Sequence, residues 1–152
     1  MDEVSTWVDA RPERVWALIS DITRYGEWSP ENQGGRWAAG TRRGVGAKFI
    51  GANRHGKLRW KTKCTVIEYQ QNTRFAFEVA ESKTQWGFQL QEQDGGTRIT
   101  QWRNRLGLPP LPIRWLENSG LLGRPRETWI VNGMKQTLEA IKQTLDRERA
   151  LT

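Results

Sequence analysis

A single cysteine, Cys64, stands in the 152-residue sequence. That excludes an internal disulfide framework and any cysteine-based zinc site. There is also a single histidine, His55. It sits in the dipeptide His55-Gly56, which reads as a tight turn, so we expect it to be solvated rather than catalytic. A Ser-His-Asp triad and histidine-rich metal sites are thereby removed. No apolar run approaches the roughly 18 residues of a membrane span. The opening MDEVSTWVDA is acidic and lacks the apolar centre of a secretion signal, so the expectation is a cytoplasmic protein without a signal peptide. Apolar residues make up only 36% of the chain and the mean hydropathy is −0.76. Carboxylates are outnumbered: 17 Asp and Glu face 24 Lys and Arg, for a net charge of +7 and an isoelectric point near 10.1. Such an excess suits nucleic acid, an anionic membrane surface or acidic ligands, and equally a soluble basic surface with no partner.

Nine tryptophans are the counterweight to this polarity, since each offers a large apolar surface at one position. The chain length suits a single domain, residues 1–152, large enough to bury a core. Repeats, low-complexity segments and internal boundaries are not visible. One long helix is legible, from Pro125 to Arg149. Ile130, Met134, Leu138, Ile141 and Leu145 form one stripe at helical spacing, and such a helix needs an apolar surface to cover.

The preceding chain supplies that surface. Residues 3–9 alternate and read as a strand. Pro12 opens a helix whose Val15, Leu18, Ile19 and Ile22 share a stripe, although Arg11 is a poor N-cap. Asp21 to Pro30 reads as a second, short helix stopped by Ser29-Pro30, with Tyr25 and Trp28 on one face. From Gln33 the period becomes two. A strand at 36–39 carries Trp37, and Gly40, Gly44 and Gly46 mark the loop after it. Four strands follow at 47–54, 57–68, 73–80 and 84–92, each with aromatics on one face, and 97–104 is the last. Leu58, Trp60, Thr62, Cys64 and Val66 alternate with Lys57, Arg59, Lys61 and Lys63, apolar on one side and cationic on the other. Ile99 and Trp102 fall on opposite faces unless a bulge re-aims one. Residues 106–123 are too proline-rich for a strand and very apolar for a loop.

The element order is β-α-α-β6-α. With it come Pro12-Glu13-Arg14-Val15-Trp16, Ser20-Asp21-Ile22 with Tyr25, Trp28 and Pro30, and Gly46-Ala47-Lys48-Phe49. Asn53-Arg54, Trp60, and Gly133-Met134 with Thr137-Leu138-Glu139 complete the set. In this order they resemble the START-like, Bet v 1-like superfamily (SRPBCC), in its polyketide cyclase/dehydrase-like branch of uncharacterised bacterial proteins. The resemblance covers nearly the whole chain. It implies an α+β helix-grip fold: a curved antiparallel sheet of about seven strands wrapped around the C-terminal helix, with an internal apolar cavity. Members carry or transform hydrophobic small molecules, such as a lipid, quinone or polyketide, in that cavity. The polar residues that run cyclase chemistry in some members have no match here, so no catalytic residue, metal or cofactor is assigned and enzyme status stays open.

The candidate ligand-binding residues are the inward rings Phe49, Trp60, Phe75, Phe77, Trp86 and Phe88. Met134 and Leu138 would form the far wall, and Trp28 with loop 106–116 would control access. Aromatics in such a pattern are also what an ordinary core uses; Gly133 and Thr137 near the helix stripe argue for space between helix and sheet. Among polar groups facing that space, Asn53 is the leading candidate to orient a ligand, with Thr62, Cys64, Gln101 and Arg103 behind it. Cys64 reads better as a small buried hydrophobe than as a nucleophile. Glu78 and Glu92 alternate away from the interior, and Glu68 at a strand end reads as solvated. The expected partner is a hydrophobic small molecule. The cationic stripe Arg54, Lys57, Arg59, Lys61 and Lys63 reads first as a solvated sheet face. Transient contact with an anionic membrane surface is the next reading, and nucleic acid, which would use exposed Trp as stacking platforms, is the weaker one. The sequence leaves the oligomeric state open.

Overall fold

The computed structural model describes residues 1–106 and 126–151. The alternating segments become seven strands: β1 (Asp2–Val8), β2 (Asn32–Trp37), β3 (Lys48–His55), β4 (Leu58–Gln70), β5 (Arg74–Val79), β6 (Thr84–Gln93) and β7 (Gly96–Arg105). They form one curved antiparallel sheet in the order β1-β7-β6-β5-β4-β3-β2. Helix α1 (Pro12–Ile19) and a 3-10 helix (Ile22–Glu27) follow β1, and α2 (Arg126–Ala150) comes after β7. This is the α+β helix-grip arrangement.

Local chemistry explains each boundary. Pro12 stands at the start of α1, and Arg11 makes no side-chain cap, so the buried Val15, Leu18 and Ile19 hold the helix. The second helix is 3-10 rather than α. Asp21 caps it by accepting the Thr23 N–H, and the tighter helix is the form that short runs take. Tyr25 and Trp28 both turn inward, their ring centroids 6.2 Å apart. His55 pairs with Leu58 across a two-residue turn in which Gly56 has φ +62°, the left-handed conformation such hairpins require. In β7 no bulge intervenes between Ile99 and Trp102. Ile99 is fully buried, while Trp102 lies over the backbone of Gly87, where a Cβ would stand 2.4 Å from its ring.

The stripe of α2 is buried as its spacing predicts: Ile130, Met134, Leu138, Ile141 and Leu145 are all within 5% exposed. At about 1.5 Å per residue the helix is about 37 Å long, and its two ends meet different neighbours. Near its start, Trp129 packs edge-on against His55, centroids 4.5 Å apart. His55 is therefore not the wholly solvated turn residue expected from sequence. Near its end, the Leu145 carbonyl accepts from Arg14 and Glu148 pairs with Arg24. There α1 forms a third layer, with the Trp16 ring edge-on to Tyr69 and Phe75. One register shift, between Val66 and Glu68, bends β4 beside this end. It also brings Glu68 onto Arg74 at 3.1 Å, so Glu68 is ion-paired rather than merely solvated.

Candidate functional site

Where α1 gives out, sheet and α2 stand apart around a cavity of about 410 Å³, within the roughly 300–1,000 Å³ of small-molecule sites. The strands supply its wall in register. Phe49 and Gly51 on β3 stand opposite Cys64 and Thr62 on β4. Phe77 on β5 stands opposite Trp86 on β6, and Trp86 opposite Arg103 on β7. Nine residues of the predicted site line this space: Trp28, Phe49, Asn53, Trp60, Cys64, Phe77, Trp86, Phe88 and Met134.

Two do not. Phe75 is fully buried against Trp16 and Tyr69. It lies two residues from Phe77, about 7 Å along the strand, and that step carries it under α1. Leu138, 2% exposed, lies one turn of α2 beyond Met134 and joins the closed core. Trp28 is wall rather than gate: it is 5% exposed and its indole N–H donates to the Thr144 hydroxyl at 3.0 Å. The remainder of the expected access loop, 107–116, lies outside the described residues. Gly133 lines the cavity, but a Cβ there would stand 3.3 Å from Pro30, so the ring of Pro30 already occupies part of the space its missing side chain leaves.

Several lining residues were not among the predicted ones. Tyr25 sits between the rings of Phe77 and Phe88, 6.2 and 6.3 Å away, and divides the cavity from the closed core. Val79 and Thr84 follow from the same alternation as Phe77 and Trp86. Trp129 was missed although it stands four residues before Gly133 and eight before Thr137, the two α2 residues that the sequence marked as leaving space, and all three line the cavity.

The polar groups are mostly satisfied by one another. The Asn53 amide donates to Thr62 Oγ1 at 3.3 Å, and the Thr137 hydroxyl donates to the Gly133 carbonyl at 2.8 Å. Arg103, 5% exposed, holds Asp2 at 2.7 Å and places its guanidinium over Trp86, 5.8 Å from the ring centroid. That pairing compensates a cation otherwise costly to bury. Gln101 Oε1 is buried without a hydrogen-bond partner among the described residues.

Two of the ionisable groups lining the cavity, Cys64 and Tyr25, are held neutral. Burial pushes the Cys64 thiol up to about 12. Burial also raises the Tyr25 phenol well above its ordinary value, and its O–H is committed to the Ile19 carbonyl. The lining carboxylates are Glu31 and Glu81, and Glu81 accepts the Lys63 backbone N–H. Among the described residues no three metal-ligating side chains converge, and no described helix is long and apolar enough to cross a membrane.

Comparison with known proteins agrees with this geometry. Residues 3–147 match the family model described as polyketide cyclase / dehydrase and lipid transport. A Polyketide_cyc-like protein of Corynebacterium glutamicum, solved by NMR, is 30% identical over 97% of this chain and 91% of its own, with a TM-score of 0.65. A Thermus thermophilus protein shares the fold at 14% identity, covering 93% of each chain with a TM-score of 0.70. A Nitrosomonas europaea protein does so at 15% identity, covering 98% of this chain and 96% of its own, with a TM-score of 0.68. No curated protein is significantly similar in sequence. With a family match over nearly its whole length and the cavity that the fold encloses, this chain belongs to the polyketide cyclase/dehydrase and lipid transport family, within the START-like superfamily.

Proposed function

We propose that the protein binds a hydrophobic small molecule, of the size and polarity of a lipid, quinone or polyketide, between its sheet and α2. The observation that carries this reading is a cavity of about 410 Å³ walled chiefly by Trp60, Phe77, Trp86, Phe88 and Met134. Side chains so disposed fill space in an ordinary core; here they surround it, and an apolar molecule gains about 25 cal/mol for each Å² it removes from water. Asn53 and Thr62, already bonded to each other, present a polar spot that orients the guest.

Catalysis has less support than binding. Cys64 and Tyr25 are both held in their neutral forms, so neither serves as a base near neutral pH. Tryptophan fluorescence tests the binding reading directly, because Trp28, Trp60, Trp86 and Trp129 all line the cavity. A saturable change is expected on titration with long-chain fatty acids, quinones or polycyclic phenols. Thr137→Phe, which puts a ring into the cavity, should weaken it without lowering the melting temperature. Unchanged binding in a folded Thr137→Phe protein would place the ligand elsewhere.

A further inference from the structure

The outer face of β2, β3 and β4 is cationic beyond what solubility asks. Arg36 on β2, Lys48 and Arg54 on β3, and Arg59, Lys61 and Lys63 on β4 are all exposed. The register groups them: Arg36 and Lys63 flank Ile50, and Arg54 stands directly opposite Arg59. Like charges opposed across strands are destabilising. The three strands contain no Asp or Glu before Glu68, which lies beyond the register shift. Protection of an exposed strand edge needs only an occasional lysine; it does not account for Lys48 and Arg54 on the inner strand β3. The β2–β3 loop adds Arg42, Arg43 and the 71% exposed Val45.

The cavity lies behind this face, lined by Trp60, Thr62 and Cys64, which alternate with Arg59, Lys61 and Lys63. Leu58, Trp60 and Lys61 line the cavity, and from Leu58 to Thr62 the β3–β4 hairpin extends past the β4–β5 pairing, which begins at Cys64. We propose that the β2–β3–β4 face docks the protein on an anionic lipid bilayer, with the β3–β4 hairpin, whose Leu58 and Trp60 line the cavity, at the edge of the contact where an apolar ligand is exchanged. Charge decides for an anionic surface, and the side chains decide between anionic partners. None of the described tryptophans, tyrosines or phenylalanines is exposed, so the stacking platforms of single-strand nucleic acid binders are missing from the described residues. A broad, nearly uniform cationic face suits a surface of many phosphates, each basic residue near it adding about fivefold to binding. The docking stands on the face alone; only the ligand exchange rests on the binding reading above.

The test is sedimentation of the full chain with phosphatidylcholine vesicles, with and without phosphatidylglycerol. Binding is expected only to the anionic vesicles and should vanish at high salt. Arg59→Gln with Lys63→Gln should weaken it by about 25-fold. Lys135→Gln with Lys142→Gln, an equal charge loss on α2, should change it less than about twofold. Fluorescence titration with a soluble apolar probe should be unchanged in the Arg59/Lys63 variant. Equal binding to neutral vesicles, no binding at low salt, or equal loss in both variants overturns the proposal. So does tighter binding to an RNA homopolymer at matched phosphate concentration. Vesicle binding without any probe binding would keep the docking and remove the cavity reading instead.

Discussion

Around Phe75 and Ile141 the sheet and α2 meet with both side chains fully buried. Around Phe77 and Met134, two residues along β5 and two turns along α2, the same two elements enclose about 410 Å³. The residue types are alike, so composition does not make the difference. The closed end has α1 as a third layer, with Trp16 edge-on to Phe75 and Tyr69; among the described residues the open end has no such helix over it. Tyr25 marks the boundary, touching Phe77 and Phe88 while its hydroxyl holds the end of α1. The cavity therefore owes more to where α1 stops than to small residues on α2, since Pro30 stands close against Gly133.

The comparison is broken most directly by truncation. Phe75→Ala should cost about 3–5 kcal/mol, as for a large ring removed from a packed core. Trp60→Ala, at the partly buried cavity wall, should cost about 1–2 kcal/mol. Urea unfolding of the two variants checks this, and equal losses would mean that the two ends are equally packed.

Alkaline pH sharpens it next. The folded Cys64 thiol ionises near 12 against 9.0 for a free thiol. Its protonated form is favoured by folding, so stability is intact below pH 9 and falls as pH rises from 9 towards 12, by about 1.4 kcal/mol per pH unit. Tyr25 adds a loss of the same sign above its own unfolded value. Cys64→Ala should flatten the first part of that slope, read as urea midpoint against pH. Tyr25→Phe removes the bond to the Ile19 carbonyl and should cost about 1–2 kcal/mol at neutral pH. Gln101→Leu is the smallest and opposite in sign. It removes a buried oxygen lacking a partner among the described residues, so the melting temperature should hold or rise by the equivalent of about 1 kcal/mol.

Alternation and helical spacing made the strands, the α2 stripe and nine of the cavity residues legible from sequence, because both patterns repeat over few residues. They could not separate Phe75 from Phe77, or Leu138 from Met134. Each pair shares a face, and what parts them is the reach of α1 and the bend in β4. Nor does local pattern announce His55 against Trp129, or Trp102 over Gly87. Those contacts join residues far apart in the chain and depend on the assembled sheet.

The projecting β3–β4 hairpin has a mechanical consequence. From Leu58 to Thr62, β4 pairs with β3 alone. Over this stretch β4 is an edge strand, backed by β3 and β2 on one side only, and an edge leaves a row of backbone groups without strand partners. Leu58 and Trp60 thus stand on the edge segment of the cavity wall, held on one side by β3 and at its tip by Trp129 against His55, and that wall can yield more readily than the core. Amide hydrogens of this segment should exchange faster than those of β4 between Cys64 and Gln70.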